Sequence, residues 1–234
     1  MSSSSYYTLI PALPALPARM DQLKELPISI LQLEQRLGML DEADQRQLAL
    51  ALRLFQRERD GDEELSDRDE VQHWQQELAQ IQDHTLKQLL EQHLIWRTLI
   101  AAQRYRLAGQ SEGNGFQGFG DLVWLIRRHW QESDFSLAGR FPWLVEAQSM
   151  LKKGQSAELE QHLLAWFWQQ LRELEQCNPF SFTAVAAYRL RWSIAEYRLR
   201  WQGEQAQEQF SRLVTSALAG FKQDETLHSV TEAG

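Results

Sequence analysis

The segment from Phe182 to Trp201, FTAVAAYRLRWSIAEYRLRW, constrains the fold more than any other part of the chain. At about 100° per residue, a helix here is apolar on two opposite faces. One face carries Val185, Tyr188, Trp192, Ala195 and Leu199, and the opposite face carries Leu190, Ile194, Tyr197 and Trp201. A helix of this kind packs between neighbours on both sides. The segment therefore predicts a buried central helix in an all-α fold.

The N-terminal stretch YYTLIPALPALP carries prolines at positions 11, 14 and 17. Proline lacks a backbone N–H and disfavours helical backbone at the preceding residue, which argues against a helix here. We therefore predict an extended Pro-rich N-terminal segment that lies on another part of the protein. Within it, residues Tyr6 to Ile10 are expected to form a short strand.

Helical periodicity returns after residue 27. Ser29 is placed to cap one helix, and Asp41 opens a second. Ser66 caps either one long helix or two helices in series, which reach Leu107. Further helical patterns cover residues 121–131, 142–153, 157–176, the central helix from about Ser181, and 205–221. Together they predict an elongated multi-helix bundle.

The segment GQSEGNGFQGFG, residues 109–120, is the clearest loop in the sequence. Because glycine-rich polar sequence interrupts helices, we place a division there between two helical lobes of a single chain. The lobes would cover residues 1–110 and 116–222. Residues 223–234 show no periodicity and are predicted to form a mobile tail.

The charge balance bears on the class of partner. With 32 acidic and 24 basic residues the net charge is −8, which disfavours nucleic acid and anionic membranes because both attract positive charge. The single cysteine, Cys177, fits a reducing compartment. No apolar run is long enough to span a bilayer. We therefore predict a cytoplasmic protein that does not insert directly into the membrane.

The motifs that would indicate catalysis are incomplete. GNGFQG, residues 113–118, matches the dinucleotide-binding pattern G-x-G-x-x-G, but a predicted helix precedes it where that motif needs a strand. Glu70 and His73 form a single Glu-x-x-His, whereas a di-iron or di-manganese site needs two such motifs and two further glutamates. No phosphate-binding loop or activated nucleophile is recognisable. We expect no catalytic residue, no cofactor and no metal site, and hence no enzyme.

Arginines on largely apolar helices are the strongest remaining signal. Arg97 and Arg104 share a helix face, as do Arg191 and Arg198. Neither these four nor Arg189 has a carboxylate three or four residues away. Because an unpaired buried charge is costly, they need carboxylates from other elements. Possible internal partners are Asp121, Glu146, Glu173 and Glu175.

Two roles fit these arginines: an internal clasp between helices, or a stripe that binds a partner. We favour the clasp, since bidentate contacts from arginine to carboxylate commonly lock helices together. The residues of this clasp or interface are Arg97, Arg104, Tyr188, Arg189, Arg191, Trp192 and Arg198. Most tryptophans have core spacing, whereas Trp143 and one of the pair Trp166 and Trp168 are predicted to be exposed for a partner.

Five segments carry a resemblance to a known family: YYTLIPALPAL, LPISILQLEQRLGMLDEADQRQL, WRTLIAAQRYRLAG, FPWLVEAQ and NPFSFTAVAAYRLRWSIAEYRLRW. They resemble an uncharacterised bacterial family typically encoded among V-type ATPase subunits, over nearly the whole chain. That family is similar in turn to the C-type (or d-type) subunit of the V-type ATPase, the helical funnel that seats the central stalk on the membrane rotor ring. The chain is shorter than this funnel, and Pro-rich sequence follows its opening tyrosines where the funnel has an arginine-bearing helix.

The resemblance implies a non-catalytic subunit or assembly partner that connects the central stalk of the soluble motor to the membrane rotor, and so serves ion transport. Its partners would be the central-stalk and membrane-ring subunits of a V-type ATPase, which would hold it at the cytoplasmic side of the membrane. Two alternatives come from other classes of protein. One is a helical protein–protein adaptor unrelated to ATPases, and the other is a metal-dependent enzyme.

Overall fold

The computed structural model describes residues 3–55 and 66–203. Every regular element in these two ranges is helical, which confirms the predicted all-α class. The helices are α1 (Ser3–Ala12), α2 (Ile30–Leu37), α3 (Glu42–Phe55), α4 (Asp67–Ala79), α5 (His84–Leu107), α6 (Leu122–Arg128), α7 (Trp143–Lys152), α8 (Ser156–Cys177) and α9 (residues 182–203). A short 3-10 turn, Met20–Gln22, lies between α1 and α2. Across the described ranges, no helix has both the length and the hydropathy that crossing a membrane requires.

The helix starts follow local side-chain chemistry. Ser29, Asp41, Ser66 and Ser181 each accept a hydrogen bond from the backbone N–H three residues further on, as N-cap residues do. The same contact at Asp83, whose Oδ1 lies 2.8 Å from the Leu86 nitrogen, begins α5. The long helical pattern after residue 66 is therefore two helices in series, one of the two predicted arrangements.

Helix α1 corrects the prediction for the N-terminus. Residues 3–12 form a helix that includes Pro11, so the strand predicted from Tyr6 to Ile10 is wrong. Pro11 lies in the last turn, where its missing N–H removes a single hydrogen bond at the end of the helix. Leu9 is fully buried in the core, and tertiary packing of this kind stabilises short helices that are marginal alone. The non-helical Pro-rich segment begins after Ala12.

Helix α9 occupies the centre of the packing, as its two apolar faces predicted. Every residue from 183 to 195 is buried. The principal core joins this helix to α1, α2, α3, α5 and α8, and its fully buried members include Leu33, Leu54, Leu90 and Trp168. Burying a large apolar side chain contributes about 1.5–3 kcal/mol, so the continuous buried stretch of α9 is a major source of stability in the described fold.

A second core forms around the middle of the chain. It joins the C-terminal half of α5 to α6 and the loop before α7, through residues such as Leu99, Ile126, Trp130 and Phe135. All of its fully buried members lie between residues 99 and 144, whereas the principal core draws on residues both before and after the loop at 109–120. The two-lobe division stays a prediction. The predicted helix at 205–221 and the tail from residue 223 lie outside the described residues.

Candidate functional site

Residues 13–29, which connect α1 to α2, form a segment that we call the strap. Only its three-residue turn is helical, so most of its carbonyl groups have no partner within regular structure. Buried backbone carbonyls need hydrogen-bond donors from elsewhere. Those donors come from side chains of α8 and α9, which lie 150 residues or more further along the chain than the carbonyls they bind.

Six side chains donate hydrogen bonds to carbonyl oxygens of the strap, and from here on the clasp means these six residues, four of which belong to the predicted set. The bonds run from Tyr188 Oη to Pro14 (2.7 Å), from Arg191 Nη2 to Pro17 (2.7 Å), from Trp168 Nε1 and Gln169 Nε2 to Ala18 (both 3.2 Å), from Trp192 Nε1 to Ile28 (3.0 Å) and from Arg198 Nη1 to Met20. Tyr188, Arg191 and Trp192 have the spacing i, i+3, i+4, which places them on one side of α9. The clasp therefore ties the central helix to the N-terminal part of the chain.

Arg191 forms more contacts than the other residues of the clasp, since it also contacts Glu175 and Trp168. Its side chain is 3% exposed and its Nη1 lies 2.7 Å from Oε2 of Glu175, one of the predicted carboxylate partners. The guanidinium also lies over the ring of Trp168, 4.5 Å from the ring centre. Burial lowers the pKa of Arg191, and the hydrogen bond to Glu175 opposes that shift. The contact with Glu175 thus stabilises a charge that the interior disfavours.

Arg189 is buried beside the clasp and does not touch the strap in the contacts described. Its Nη1 donates to Ser193 Oγ at 2.5 Å, and its guanidinium lies 5.1 Å from the ring centre of Trp192. Burial lowers its pKa, while Glu196 and Glu34 raise it. Arg189 therefore packs along α9 and supports the position of Trp192.

The other two predicted arginines, Arg97 and Arg104, lie on α5 away from the clasp. Arg97 pairs with Glu70 of α4 at 3.7 Å and lies 4.5 Å from the ring centre of Trp74. Arg104 is exposed. The predicted residue set therefore divides into residues of α9, in or beside the clasp, and a separate pair on α5.

Arg106 is a carbonyl-binding residue that the sequence reasoning missed. It donates hydrogen bonds to the carbonyl oxygens of Trp130 (3.2 Å), Ser133 (2.7 Å) and Glu132. Its guanidinium also lies 4.6 Å from the ring centre of Phe135. The repeated tripeptide YRL was the available signal, since Arg106 and Arg198 both follow a tyrosine in that pattern and both hold loop carbonyls.

The tryptophans predicted to be exposed for a partner are packed instead. Trp143 and Trp166 lie partly buried against Trp96, with ring centres 4.6 Å and 4.2 Å away. Trp168 is fully buried within the clasp. Among the described tryptophans the exposed one is Trp124. The neighbouring sequence does not show which of these tryptophans are packed and which is exposed, because each of these helices packs on more than one neighbour.

Two glycines of GNGFQG, Gly113 and Gly118, are required by close packing. Helix α5 precedes them, so the strand that a dinucleotide site requires is not there. A Cβ at Gly113 would lie 2.8 Å from Trp130, and one at Gly118 would lie 2.4 Å from the Thr98 methyl group. The Thr98 hydroxyl accepts the backbone N–H of Phe119 at 2.8 Å. The loop therefore lies directly against α5 and α6.

We expect Gly118→Ala to destabilise the protein by about 1–3 kcal/mol, the usual cost of overpacking. The cause is the new methyl group, which overlaps the buried Thr98 side chain. Gly115→Ala is the matched control, since its Cβ would meet only the Tyr105 hydroxyl at 3.5 Å. Urea denaturation measures both variants. Equal stability of the two alanine variants would contradict the close packing of residue 118.

A groove of about 810 Å³ opens on the side of the bundle formed by α4, α5, α8 and α9. Its aromatic lining includes Phe55, Trp74, His93, Trp96 and Phe167. Charged residues stand among the lining, four carboxylates and three guanidinium groups, namely Asp67, Glu70, Glu160, Glu196, Arg97, Arg104 and Arg200. The groove is thus apolar in part and close to balanced in charge.

Two lining residues on α5 leave buried polar atoms unpaired. Neither ring nitrogen of His93 nor the indole nitrogen of Trp96 has a hydrogen-bond partner among the described residues. The His93 ring stacks on Phe55 with ring centres 4.5 Å apart, and meets Phe167 edge-on at 4.8 Å.

The surroundings of His93 keep its imidazole neutral at physiological pH. Burial, and secondarily the charge of Arg97, lowers the pKa of His93 to about 3. The Phe55 backbone lies close enough to oppose this shift in part, although it does not reach hydrogen-bond geometry with either ring nitrogen. A neutral imidazole has one donor and one acceptor nitrogen, and both nitrogens of His93 are buried without a hydrogen-bond partner.

The predicted Glu-x-x-His residues do not converge on a shared ligand position. Glu70 pairs with Arg97, and His73 lies 3.3 Å from Glu77 on its own helix. In the described ranges, no three histidine, cysteine or acidic side chains are grouped as a metal ion would need. The residues brought together by the fold are hydrogen-bond donors and aromatic rings.

Comparison of the chain with family models, with curated proteins and with solved structures gives no match. The protein is therefore described by its fold and its site alone. It is an all-helical protein whose central helix holds an N-terminal strap through the clasp, and whose α4, α5, α8 and α9 form an aromatic groove.

Proposed function

We propose that this protein is a non-catalytic helical subunit or assembly partner of a V-type ATPase, and that it connects the central stalk of the soluble motor to the membrane rotor. The clasp is the observation that supports the proposal best. A connector that transmits force needs elements that do not slide past one another. The clasp fixes the central helix to a segment more than 160 residues earlier in the chain, for example Trp192 to Ile28.

The family resemblance supplies the specific assignment. Its first segment, YYTLIPALPAL, covers most of α1 and the start of the strap, and its last segment covers most of α9. These two segments meet in the bond from Tyr188 to Pro14. The sequence features that resemble the V-type ATPase family therefore coincide with the contact that stiffens the fold. On this proposal the protein lies at the cytoplasmic face of the membrane, held there by the stalk and ring subunits.

A tagged pull-down from detergent-solubilised native membranes tests the proposal. We expect the central-stalk and ring subunits of a V-type ATPase to co-purify with the tagged full chain in fixed proportion. A clean preparation without ATPase subunits, from cells that contain the assembled enzyme, would reject the proposal.

The alternative is a helical adaptor unrelated to ATPases. The groove favours it, since concave surfaces lined by Trp, Tyr and Arg are common where proteins bind one another. The same pull-down separates the two proposals. Stoichiometric recovery of a different protein, with none of the ATPase components, would support the adaptor.

A further inference from the structure

We propose that the groove between α4, α5, α8 and α9 binds a flat, uncharged heteroaromatic molecule that forms hydrogen bonds with His93 and Trp96. The proposal is independent of the V-type ATPase assignment. It is carried by three properties of the groove: its size and aromatic lining, the unpaired nitrogens of the two residues on α5, and its balance of charge.

The size and lining suit a small planar molecule. At about 810 Å³ the groove falls within the range of roughly 300–1,000 Å³ that is usual for small-molecule sites. Phe55, His93 and Phe167 form a continuous aromatic cluster, which Trp96 joins with its ring centre 5.2 Å from that of Phe167. Aromatic rings favour offset or edge-on contacts with other rings, so a flat aromatic ligand complements this surface.

The unpaired nitrogens define the polar part of the ligand. A buried donor or acceptor without a partner is destabilising, and three such atoms lie on His93 and Trp96. The indole of Trp96 only donates, whereas a neutral imidazole donates at one nitrogen and accepts at the other. A ligand edge that carries both an acceptor and an N–H donor satisfies this set once the side chains of His93 and Trp96 shift to bring their buried nitrogens to the groove surface.

The charged residues of the groove argue for an uncharged ligand. Four carboxylates and three guanidinium groups line it, so neither an anion nor a cation gains a consistent attraction. Arg97, the cation closest in sequence to His93, is already paired with Glu70. Protonation of His93 is also disfavoured by burial and by Arg97, which leaves hydrogen bonding as its means of recognition.

Benzimidazole is the probe that tests the proposal, because its flat bicyclic ring carries one nitrogen acceptor and one N–H donor. Indene has nearly the same shape without the nitrogens and is the matched control ligand. We expect the full chain to bind benzimidazole at one saturable site, at least tenfold more tightly than indene, in calorimetric titration. Equal affinity for the two compounds, or no saturable binding of benzimidazole up to its solubility limit, would overturn the proposal.

Two variants locate the binding. His93→Phe keeps an aromatic ring between Phe55 and Phe167 and removes both nitrogens, so we expect benzimidazole affinity to fall at least tenfold with indene binding unchanged. His84→Phe is the control, at an exposed histidine on the same helix that does not line the groove. Unchanged benzimidazole binding in His93→Phe would place the compound elsewhere and overturn the proposal. The comparison of the two compounds on the unmodified chain stands without either variant.

Discussion

Arg191→Ala is expected to lower the free energy of unfolding by about 2–4 kcal/mol, the range for breaking a buried charge-assisted contact. The substitution removes the hydrogen bonds to Pro17 and Glu175 and the contact with the Trp168 ring. It leaves the Pro17 carbonyl without its donor and a cavity where the guanidinium lay. Urea denaturation, with the slope of the transition checked for constancy, measures the loss.

Arg104→Ala is the matched control for that experiment. Arg104 is also an arginine on a buried helix, but its side chain is exposed, so we expect a change within about 0.5 kcal/mol. The comparison decides between the two roles that the sequence left open for the arginines. A stability loss confined to Arg191→Ala identifies an internal clasp. Unchanged stability of Arg191→Ala, together with loss of a partner in the pull-down, would identify an interface instead.

The second large effect that we expect is a loss of protein stability at acid pH, caused by His93. The folded pKa is about 3, whereas an unfolded histidine titrates near 6.5. Above pH 6.5 the imidazole is neutral in both states and contributes no pH dependence. Below that pH the unfolded chain binds a proton that the folded chain does not, so stability falls by about 1.4 kcal/mol per pH unit until the folded pKa is approached. The full loss is roughly 3–5 kcal/mol.

His93→Phe isolates this contribution, because other titrating groups are common to both proteins. We expect the variant to be equally or more stable at pH 7, since an apolar ring replaces unpaired buried nitrogens. Its stability should also fall less steeply between pH 6.5 and 4.5. Urea denaturation at each pH gives the difference between the two proteins. Parallel pH profiles would show that His93 takes up its proton in the folded state, contrary to its burial.

The sequence predicted the helical framework well because that framework depends on local chemistry. Caps at Ser29, Asp41, Ser66 and Ser181 need only a side-chain oxygen and an N–H three residues on. The two apolar faces of α9 indicated its central position directly. The helix across Pro11 was missed because the stabilising contact, the burial of Leu9, is made with residues distant in sequence.

The site was predicted in part. The arginines without a carboxylate three or four residues away indicated a clasp, and Glu175 was among the possible partners predicted for them. The main acceptors, however, are backbone carbonyls of the strap, and carbonyls occur at every residue, so no sequence pattern distinguishes those that an arginine will bind. His93 was not singled out for a similar reason. Its unpaired state depends on Phe55 and Phe167, which come from two other helices.

Limited proteolysis of the strap tests most directly whether α9 holds it in place. Trypsin sites at Arg19 and Lys24 lie within the strap, and cleavage there requires the strap to leave the body of the protein. In the unmodified chain we expect these sites to resist cleavage. In Arg198→Ala, which loses the bond to the Met20 carbonyl and the trypsin site at residue 198, we expect cleavage at Arg19 and Lys24 at least tenfold faster, with the other sites common to both proteins unchanged. Equal cleavage rates at Arg19 and Lys24 in the two proteins would show that the clasp does not hold the strap.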